Sequence, residues 1–496
     1  MANRFSVIAL TTTVLLGILI YVLHLFQLVT PANEVYARSC ALGLFIVSFL
    51  FLGWWQAKYY RLSWKHFYKN DTLIIICLSV LLASLFLCSR IGYYAVGFFA
   101  GAVLLHFFYR RKFYPLPKFF YFVFLYALLL FLGTIGTEKG FRFPNSTLSF
   151  YVLPLSLCFF RLSKTTLLRI AELFFKIAIV FLATCILYWW YNFLQLDANF
   201  ITWIAEKTGY SVEMTAWEEQ AKIHNSNYYS AYFFVTSWSY YYHPSFVSLI
   251  LFFGLITGFY LYHKKNTNPT ITKLELILYI VLCLFVIILM ESRVGLVGFL
   301  FINAVTGLYY LKLKTKHFKI GLILYLLLGC ASLYVLNDSV SDFVDDDARD
   351  AYRRIAISYV HDNFWWGSGF HQQRIALEQQ AEMMENVLPD IIFPHTGNPI
   401  YYVHNQFLGN MVQFGIWGLL LLSAMLIAIA YYAVKKRSYL LQVMLSVVFL
   451  FMMIEEPLYV LKSIVCFLTF LMFFTAISES GKLTVSDTTE MISERK

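Results

Sequence analysis

Residues Tyr401–Gly418 read YYVHNQFLGNMVQFGIWG, and this stretch joins the longest polar loop of the chain to a long apolar segment. His404 and Asn405 stand where the apolar segment begins. The imidazole group has the side-chain pKa closest to neutrality, so it can accept a proton from a hydroxyl without help from a cofactor. We therefore expect His404 to be a catalytic residue and Asn405 to support it.

The composition around this stretch is typical of a membrane protein. Of the 496 residues, 60% are hydrophobic and 13% are charged, whereas soluble domains carry about a quarter charged residues. Apolar runs long enough to cross a hydrocarbon core of about 30 Å recur along the whole chain. Backbone groups inside a bilayer have no water to bind, so these runs are expected to form helices. The predicted fold is an all-α polytopic membrane protein.

About fourteen transmembrane helices can be placed, or twelve if the two short runs 92–109 and 147–161 do not span. Their expected positions are 5–30, 38–57, 71–88, 92–109, 118–135, 147–161, 171–192, 245–262, 274–290, 294–311, 319–336, 406–434, 438–454 and 458–476. The expected segments are N-terminal helices (1–192), an outer loop (193–244), helices with a Ser-Arg turn (245–337), a large outer loop with an amphipathic helix (338–405), three C-terminal helices (406–476) and a cytoplasmic tail (477–496).

The net charge of +10 indicates membrane topology and not a nucleic-acid partner, because the basic residues sit in short loops between apolar runs. These loops all fall on one side of the predicted helices, which the positive-inside rule makes cytoplasmic. The loops with candidate functional residues then share the opposite face. They are 194–243, 291–293, 338–403 and 455–457.

The cysteines predict neither disulfides nor a metal site. All eight lie within or at the edge of apolar runs, and the chain has no CxxC or HExxH spacing. It also has no Walker-type phosphate loop, so nucleotide hydrolysis is not expected. We expect chemistry without a metal or another cofactor.

Arginines on the outer face suggest a site for phosphate. Arg293 lies in a short turn between two apolar runs, where an arginine is costly unless it is paired or faces a polar cavity. Arg349 and Arg353 are four residues apart on a predicted helix from 349 to 361, and they share one helix face. Guanidinium groups bind phosphate oxygens bidentately. The structural alternatives are a pair between Arg293 and Glu291, and a solvated basic helix neutralised by nearby aspartates.

Three further features lie on the same predicted face. His243 precedes Pro244 at the start of an apolar run, where it either binds substrate or caps the helix. The segment Gly367-Ser368-Gly369 predicts a turn that permits close backbone approach. In the last outer turn, Glu455 or Glu456 could orient a basic residue, although a plain interfacial turn would also contain such residues.

Several of these motifs occur in an order that resembles the O-antigen ligase and O-antigen polymerase superfamily. They are a Ser-Arg pair opening a helix (Ser292, Arg293), an arginine-bearing loop helix followed by Gly-x-Gly (349–369), and HNxxL followed by GxxG (404–418). The resemblance covers mainly residues 240–420. His243-Pro244-Ser245 is also similar to a short proline-containing motif that many members carry.

The resemblance implies an inverting membrane glycosyltransferase of the GT-C type that acts at the periplasmic face of the bacterial inner membrane. Its donor would be a glycan on undecaprenyl pyrophosphate. By position, Arg293 and Arg349 would bind the pyrophosphate, and His404 would activate the acceptor hydroxyl. The family pattern has an aromatic residue where this chain has Arg353, so the choice among Arg349, Arg353 and Arg354 stays open.

Four functions remain open from the sequence. The leading one is a ligase that joins the glycan to a lipid A-core acceptor, and the nearest alternative is a polymerase that extends the glycan on undecaprenyl pyrophosphate. A third is an oligosaccharyltransferase, for which the chain shows no acceptor-peptide site. The fourth is a flippase or transporter of lipid-linked glycans, which would predict two related halves and polar residues near the middle of the membrane.

Overall fold

The computed structural model of the protein is helical throughout the part of the chain that it describes, with no strands there. The described residues are 47–48, 50–51, 54, 71–86, 89–133, 145–195, 244–263, 271–290, 292–311, 347–369, 372–384, 403–459 and 461–480. The all-α prediction is therefore confirmed for these ranges.

Thirteen helices follow one another in the described ranges from residue 71 onward. They are α1 (Thr72–Ser84), α2 (Ser89–Arg110), α3 (Phe120–Leu132), α4 (Asn145–Ser156), α5 (Lys164–Gln195), α6 (Pro244–His263), α7 (Lys273–Leu289), α8 (Arg293–Leu311), α9 (Asp347–Asp362), α10 (Gln373–Met383), α11 (Gln406–Lys435), α12 (Tyr439–Ile454) and α13 (Leu461–Glu479).

Eleven of these helices lie where the apolar runs predict a transmembrane helix, and α9 lies where the sequence predicts a loop helix. The predicted helices 5–30 and 319–336 and most of 38–57 are outside the described residues. Three described helices are long and apolar enough to cross a membrane, namely Gly92–Arg110, Ser245–His263 and Gln406–Lys435. Five shorter apolar helices accompany them. The total of about fourteen spans and the segment boundaries stay predictions.

The chain divides into two compact units, which are Met1–Ala102 with Thr165–Phe299, and Val103–Lys164 with Leu300–Lys496. The core of the first unit contains α6 and α7, which approach closely at Gly254. The Tyr279 hydroxyl donates a hydrogen bond of 2.7 Å to the carbonyl of Leu251. The ring of Tyr279 also packs against Phe175 of α5, with 5.0 Å between centroids. A larger residue at 254 would collide with this tyrosine.

The second unit is built around α11. This helix packs against α3 and α12, while α13 packs against α4. At one end of the unit the Phe119 and Tyr432 rings lie 4.6 Å apart, and Tyr432 donates to Glu479 at 2.5 Å. Lys436 pairs with the same carboxylate. The basic end of α11 is thereby tied to the end of α13.

The helix α11 folds back on itself at Gly415, where φ is 60° and ψ is −151°. Essentially only glycine adopts this backbone conformation. We call Gln406–Phe414 the short arm and Ile416–Lys435 the long arm. A Cβ placed at Gly418 would lie 2.5 Å from the carbonyl oxygen of Asn410, although a straight helix separates such residues by about 12 Å. The short arm therefore turns back along the long arm.

The turn that follows α9 completes the backbone hydrogen bonding of this reversal. The amides of Ser368 and Gly369 donate to the carbonyls of Val412 and Gln413, both at 2.8 Å. On the other side of the bend, the Ile416 amide donates to the carbonyl of Phe364 at 2.8 Å. The bend takes these amides and carbonyls of α11 out of the i to i−4 hydrogen-bond pattern, and the backbone of the turn after α9 supplies their partners.

The contact between the turn and the bend leaves no room for side chains at two glycines. Gly367 has φ of 65°, and a Cβ there would lie 2.5 Å from the carbonyl carbon of Gln413. A Cβ on Gly415 would lie 2.5 Å from the carbonyl oxygen of Trp365. The predicted Gly-x-Gly turn is therefore confirmed, and its glycines permit backbone to pack on backbone.

The amphipathic helices α9 and α10 cover the short arm with a small apolar core. Its members are Tyr352, Ile355, Ala356, Val360, Leu377, Val403 and Val412, with Leu408 and Met411 packed against them. Polar residues such as Arg353 and Arg354 lie on the exposed side of α9. Burial of the apolar stripe fixes the two loop helices on the segment that begins with His404.

We expect Gly415→Ala to lower the melting temperature of the purified protein by several degrees. The substitution forces an alanine into a conformation that costs about 1–3 kcal/mol and overlaps the Trp365 carbonyl. The matched control is Gly101→Ala in α2, where a Cβ meets nothing within 4 Å. Alanine favours helix there, so its melting temperature should not fall. Equal melting temperatures for the two variants would contradict the role of the reversal.

Candidate functional site

Asn405 caps the short arm and ties it to the end of α12. Its Oδ1 atom accepts hydrogen bonds from the amides of Phe407 and Leu408, both at 3.0 Å. Its Nδ2 atom donates to the carbonyl of Met453 at 3.0 Å. An asparagine at this position satisfies two of the amides that a helix start leaves unpaired. The predicted supporting residue thus holds the start of the short arm beside the turn that follows α12.

His404 stands directly before this cap and contacts the turn. Its φ is 50°, a left-handed conformation that is uncommon for a residue other than glycine. The Nδ1 atom lies 3.4 Å from Oε2 of Glu455, whose side chain is 6% exposed, whereas that of His404 is 28% exposed. A histidine paired with a buried carboxylate is held in one orientation, as in catalytic triads.

Glu456, the next residue, is buried and makes different contacts. Its Oε1 atom accepts hydrogen bonds from Nε2 of Gln373 at 3.1 Å and from the amide of Val403 at 3.2 Å. Gln373 in turn accepts from Nε2 of Gln413 at 2.9 Å. Burial raises the pKa of Glu456 to about 7, against the lowering effects of Gln373, His404 and the Val403 amide, and Glu455 raises it further.

The polar face of the short arm is a feature that the sequence analysis missed. Oε1 of Gln406 accepts from the Leu458 amide at 2.7 Å, and the Tyr126 hydroxyl of α3 donates to Oδ1 of Asn410 at 3.0 Å. Gln406, Asn410 and Gln413 are spaced i, i+4, i+7, so they share one helix face. In the sequence, this polar face is indicated by the stripe of three amide side chains in an otherwise apolar helix.

Two predicted arginine positions lie on α9, which packs against the short arm. Arg353 is exposed on this helix. Arg349 belongs to its first turn, but the side chain of Arg349 is outside the described residues. The expected i, i+4 spacing on one helix is confirmed for the backbone. The role of either residue in binding phosphate stays a prediction.

The other two predicted positions, Arg293 and His243, fall within the residue range of the first unit. Arg293 is the first residue of α8, as the Ser-Arg pattern predicts. Oγ of Ser292 accepts from the Gly295 amide at 3.0 Å and from the Ser248 hydroxyl at 3.2 Å, so the serine caps the helix. The side chain of Arg293 and all of His243 are outside the described residues.

The cluster of His404, Glu455 and Glu456 has the chemical groups for proton transfer. A partly exposed imidazole beside one buried carboxylate can take a proton from a hydroxyl, and the carboxylate can stabilise the imidazolium that forms. In the described ranges, no three His, Cys, Asp or Glu side chains are arranged to hold a metal ion. An oriented general base needs such a geometry, and the role of His404 as that base stays a prediction.

The sequence model of the O-antigen ligase family matches residues 278–423. The match confirms the resemblance to the O-antigen ligase and polymerase superfamily, and it supports a ligase- or polymerase-type enzyme in a membrane. Arg293, Arg349, Arg353, His404 and Asn405 all lie inside the matched segment. No curated protein matches the chain.

We expect Gln373→Ala to lower the free energy of unfolding by about 1–3 kcal/mol, because buried polar groups that lose a partner pay their desolvation cost. The substitution takes a hydrogen bond from both Glu456 and Gln413. Gln379→Ala is the matched control, since this glutamine is exposed on the same helix. Its effect should stay within about 0.5 kcal/mol. Denaturant unfolding of the purified variants measures both, and equal losses would contradict the network.

Proposed function

We propose, from the O-antigen ligase family match at residues 278–423, that this protein is an O-antigen ligase-type glycosyltransferase. It transfers a glycan from undecaprenyl pyrophosphate to a hydroxyl of a lipid A-core acceptor. The observation that carries the proposal is the contact of 3.4 Å between His404 and Glu455. The family match contains the histidine, and the carboxylate reaches it from a turn outside the matched segment.

In the proposed reaction His404 acts as the general base. The acceptor hydroxyl gives its proton to the imidazole while its oxygen attacks the anomeric carbon of the donor sugar. The bond from that carbon to the pyrophosphate oxygen breaks, and undecaprenyl pyrophosphate leaves with the electron pair. One displacement inverts the anomeric configuration. Glu455 holds the imidazole and offsets the positive charge that it gains.

Arginines are proposed to bind the leaving group. Arg293, Arg349 and Arg353 would supply planar donors to the pyrophosphate and stabilise the charge that develops on it, without a metal ion. Arg293 is the first residue of α8, and the backbone amides at a helix N-terminus also attract anions. Arg354 neighbours Arg353 on the exposed side of α9 and remains an alternative contact.

We propose that the site faces the periplasm across the inner membrane. The long arm has 20 residues from Ile416 to Lys435, about 30 Å, which is the thickness of a hydrocarbon core. Lys435, Lys436 and Arg437 mark one end of it, as expected on the cytoplasmic side. Exposed tryptophans mark the other end, where interfacial aromatic residues are expected. They are Trp365, Trp366 and Trp417.

A polymerase is the second candidate function, because the donor, the face and the proposed residues are the same and only the acceptor differs. The superfamily match includes both activities. A flippase of lipid-linked glycans is the candidate from another class, and it would form no glycosidic bond. A paired histidine and carboxylate favours chemistry over transport.

The lipopolysaccharide of a strain that lacks the protein separates these functions. For a ligase, we expect loss of all O-antigen from the lipid A-core, with long chains retained on undecaprenyl pyrophosphate. A core that bears a single repeat would instead indicate a polymerase. Unaltered glycans would contradict both enzymes. Complementation with the wild-type protein is the control.

We expect His404→Ala to lower the rate of glycan transfer by about 10²–10⁴-fold, which is the usual contribution of a general base. The assay uses purified protein with a lipid pyrophosphate donor and a lipid A-core acceptor. His361→Ala is the matched control, because the side chain of His361 is 88% exposed at the end of α9. It should transfer at the wild-type rate. Full transfer by His404→Ala would show that the base is another residue.

A further inference from the structure

Glu456 occupies the turn between α12 and α13, and its carboxyl group connects three other segments. Its Oε1 atom accepts hydrogen bonds from Gln373 of α10 and from the amide of Val403, which directly precedes His404. Its carboxyl group also lies against Gly409 of the short arm, where a Cβ would be 2.9 Å from Cδ. The side chain is therefore enclosed by α10, by the segment Val403–His404, which we call the histidine loop, and by the short arm.

The second oxygen of this carboxyl group has no hydrogen-bond partner. Oε2 of Glu456 is fully buried, and so is the unpartnered Oε1 of Gln413. A carboxylate anion with one bare oxygen is costly in such a place, whereas a neutral carboxylic acid loses much less by burial. Oε1 alone makes the contacts that tie the neighbouring segments together, and these contacts need no negative charge.

We propose that Glu456 is a positioning residue, which as a neutral carboxylic acid holds the histidine loop against α10. Ionisation of Glu456 loosens this arrangement. The inference rests on the proposed role of His404 as the base. Val403 and His404 are adjacent in the chain, so the bond to the Val403 amide fixes the backbone on which the imidazole stands. The left-handed φ of His404 needs such a constraint.

The groups around Glu456 act on it in opposite directions. From the histidine loop, a protonated His404 favours the anion, and from the same turn Glu455 disfavours it. Tyr126 is the titratable group of α3 that interacts electrostatically with Glu456. Gln373 and Gly409 bring no charge from α10 and the short arm, but the hydrogen bonds that Gln373 and the Val403 amide donate also favour the anion. Burial is the largest effect and raises the pKa of Glu456 to about 7, so the group changes charge within the range of ordinary assays.

Ionisation of Glu456 would place a second anion beside the carboxylate that pairs with His404. The two carboxylates would repel each other, and the bare oxygen would draw in water or move the side chain outward. Gly409 shows how little space there is for such a movement. We expect the imidazole to lose its alignment with Glu455 at alkaline pH, and glycan transfer to fall.

The test is the pH dependence of transfer by the purified wild type and by Glu456→Gln. Glutamine keeps an oxygen acceptor for Gln373 and Val403 but cannot ionise. Wild-type transfer should fall about tenfold or more between pH 6 and pH 8.5, because a group with this pKa is then almost fully ionised, and Glu456→Gln should lack this decline. Glu382→Gln, exposed on α10, is the matched control and should retain it.

Two outcomes of the activity test would overturn the proposal. One is an alkaline decline in Glu456→Gln equal to that of the wild type. The other is transfer by Glu456→Ala at the same rate and with the same pH profile as Glu456→Gln, since alanine removes the acceptor for both hydrogen bonds. The proposal expects Glu456→Ala to transfer more slowly at every pH and glutamine to rescue it.

Thermal unfolding gives a readout that does not depend on transfer. The pKa of Glu456 is raised in the folded protein from 4.5 to about 7, so the folded state binds more protons than the unfolded state between these values. The free energy of unfolding of the wild type then falls as pH rises through this window, and Glu456→Gln should lack that fall. Identical melting curves of the two proteins against pH would overturn the inference. If the melting profiles of the wild type and Glu456→Gln differ but neither the wild type nor any variant transfers glycan, the link between Glu456 ionisation and stability is upheld. The proposed function is then rejected.

Discussion

The reversal of the chain at Gly415 is the constraint on which the candidate site depends. A straight α11 of 30 residues would be about 45 Å long, whereas the 16 residues of its neighbour α12 span about 24 Å. The start of a straight helix would therefore lie far beyond the turn at Glu455. Because the short arm folds back, Asn405 reaches the carbonyl of Met453 and His404 reaches Glu455.

The reversal also explains why the loop helices and the histidine form one arrangement. A bend in a helix leaves amides and carbonyls without partners, and the turn at 364–369 supplies them from its own backbone. The helix α9, with Arg353, is thereby attached to the short arm by main-chain hydrogen bonds as well as by apolar packing. Main-chain hydrogen bonds can form whatever the side chains are, except where the two backbones are in contact. At Gly367 and Gly415 that contact leaves room only for glycine.

The sequence predicted eleven of the described helices because each is an apolar run of recognisable length, and it left open whether Glu455 or Glu456 orients a basic residue. It could not predict that Glu455 would bind His404 while Glu456 bound Gln373 and Val403. That division depends on how the short arm turns, and a GxxG pattern does not encode the direction of a bend. The hydrophobic run through Gly415 has the periodicity of one continuous helix, so periodicity concealed the reversal.

The two adjacent glutamates also solve an electrostatic problem of the proposed reaction. Proton transfer from an acceptor hydroxyl creates a positive charge on His404 in a site that water reaches only partly. One anionic partner, Glu455, balances that charge, whereas two adjacent anions would repel each other when the imidazole is neutral. Keeping Glu456 neutral leaves a single ion pair at the moment of transfer. Burial against Gly409, with hydrogen bonds to only one oxygen, favours the neutral form.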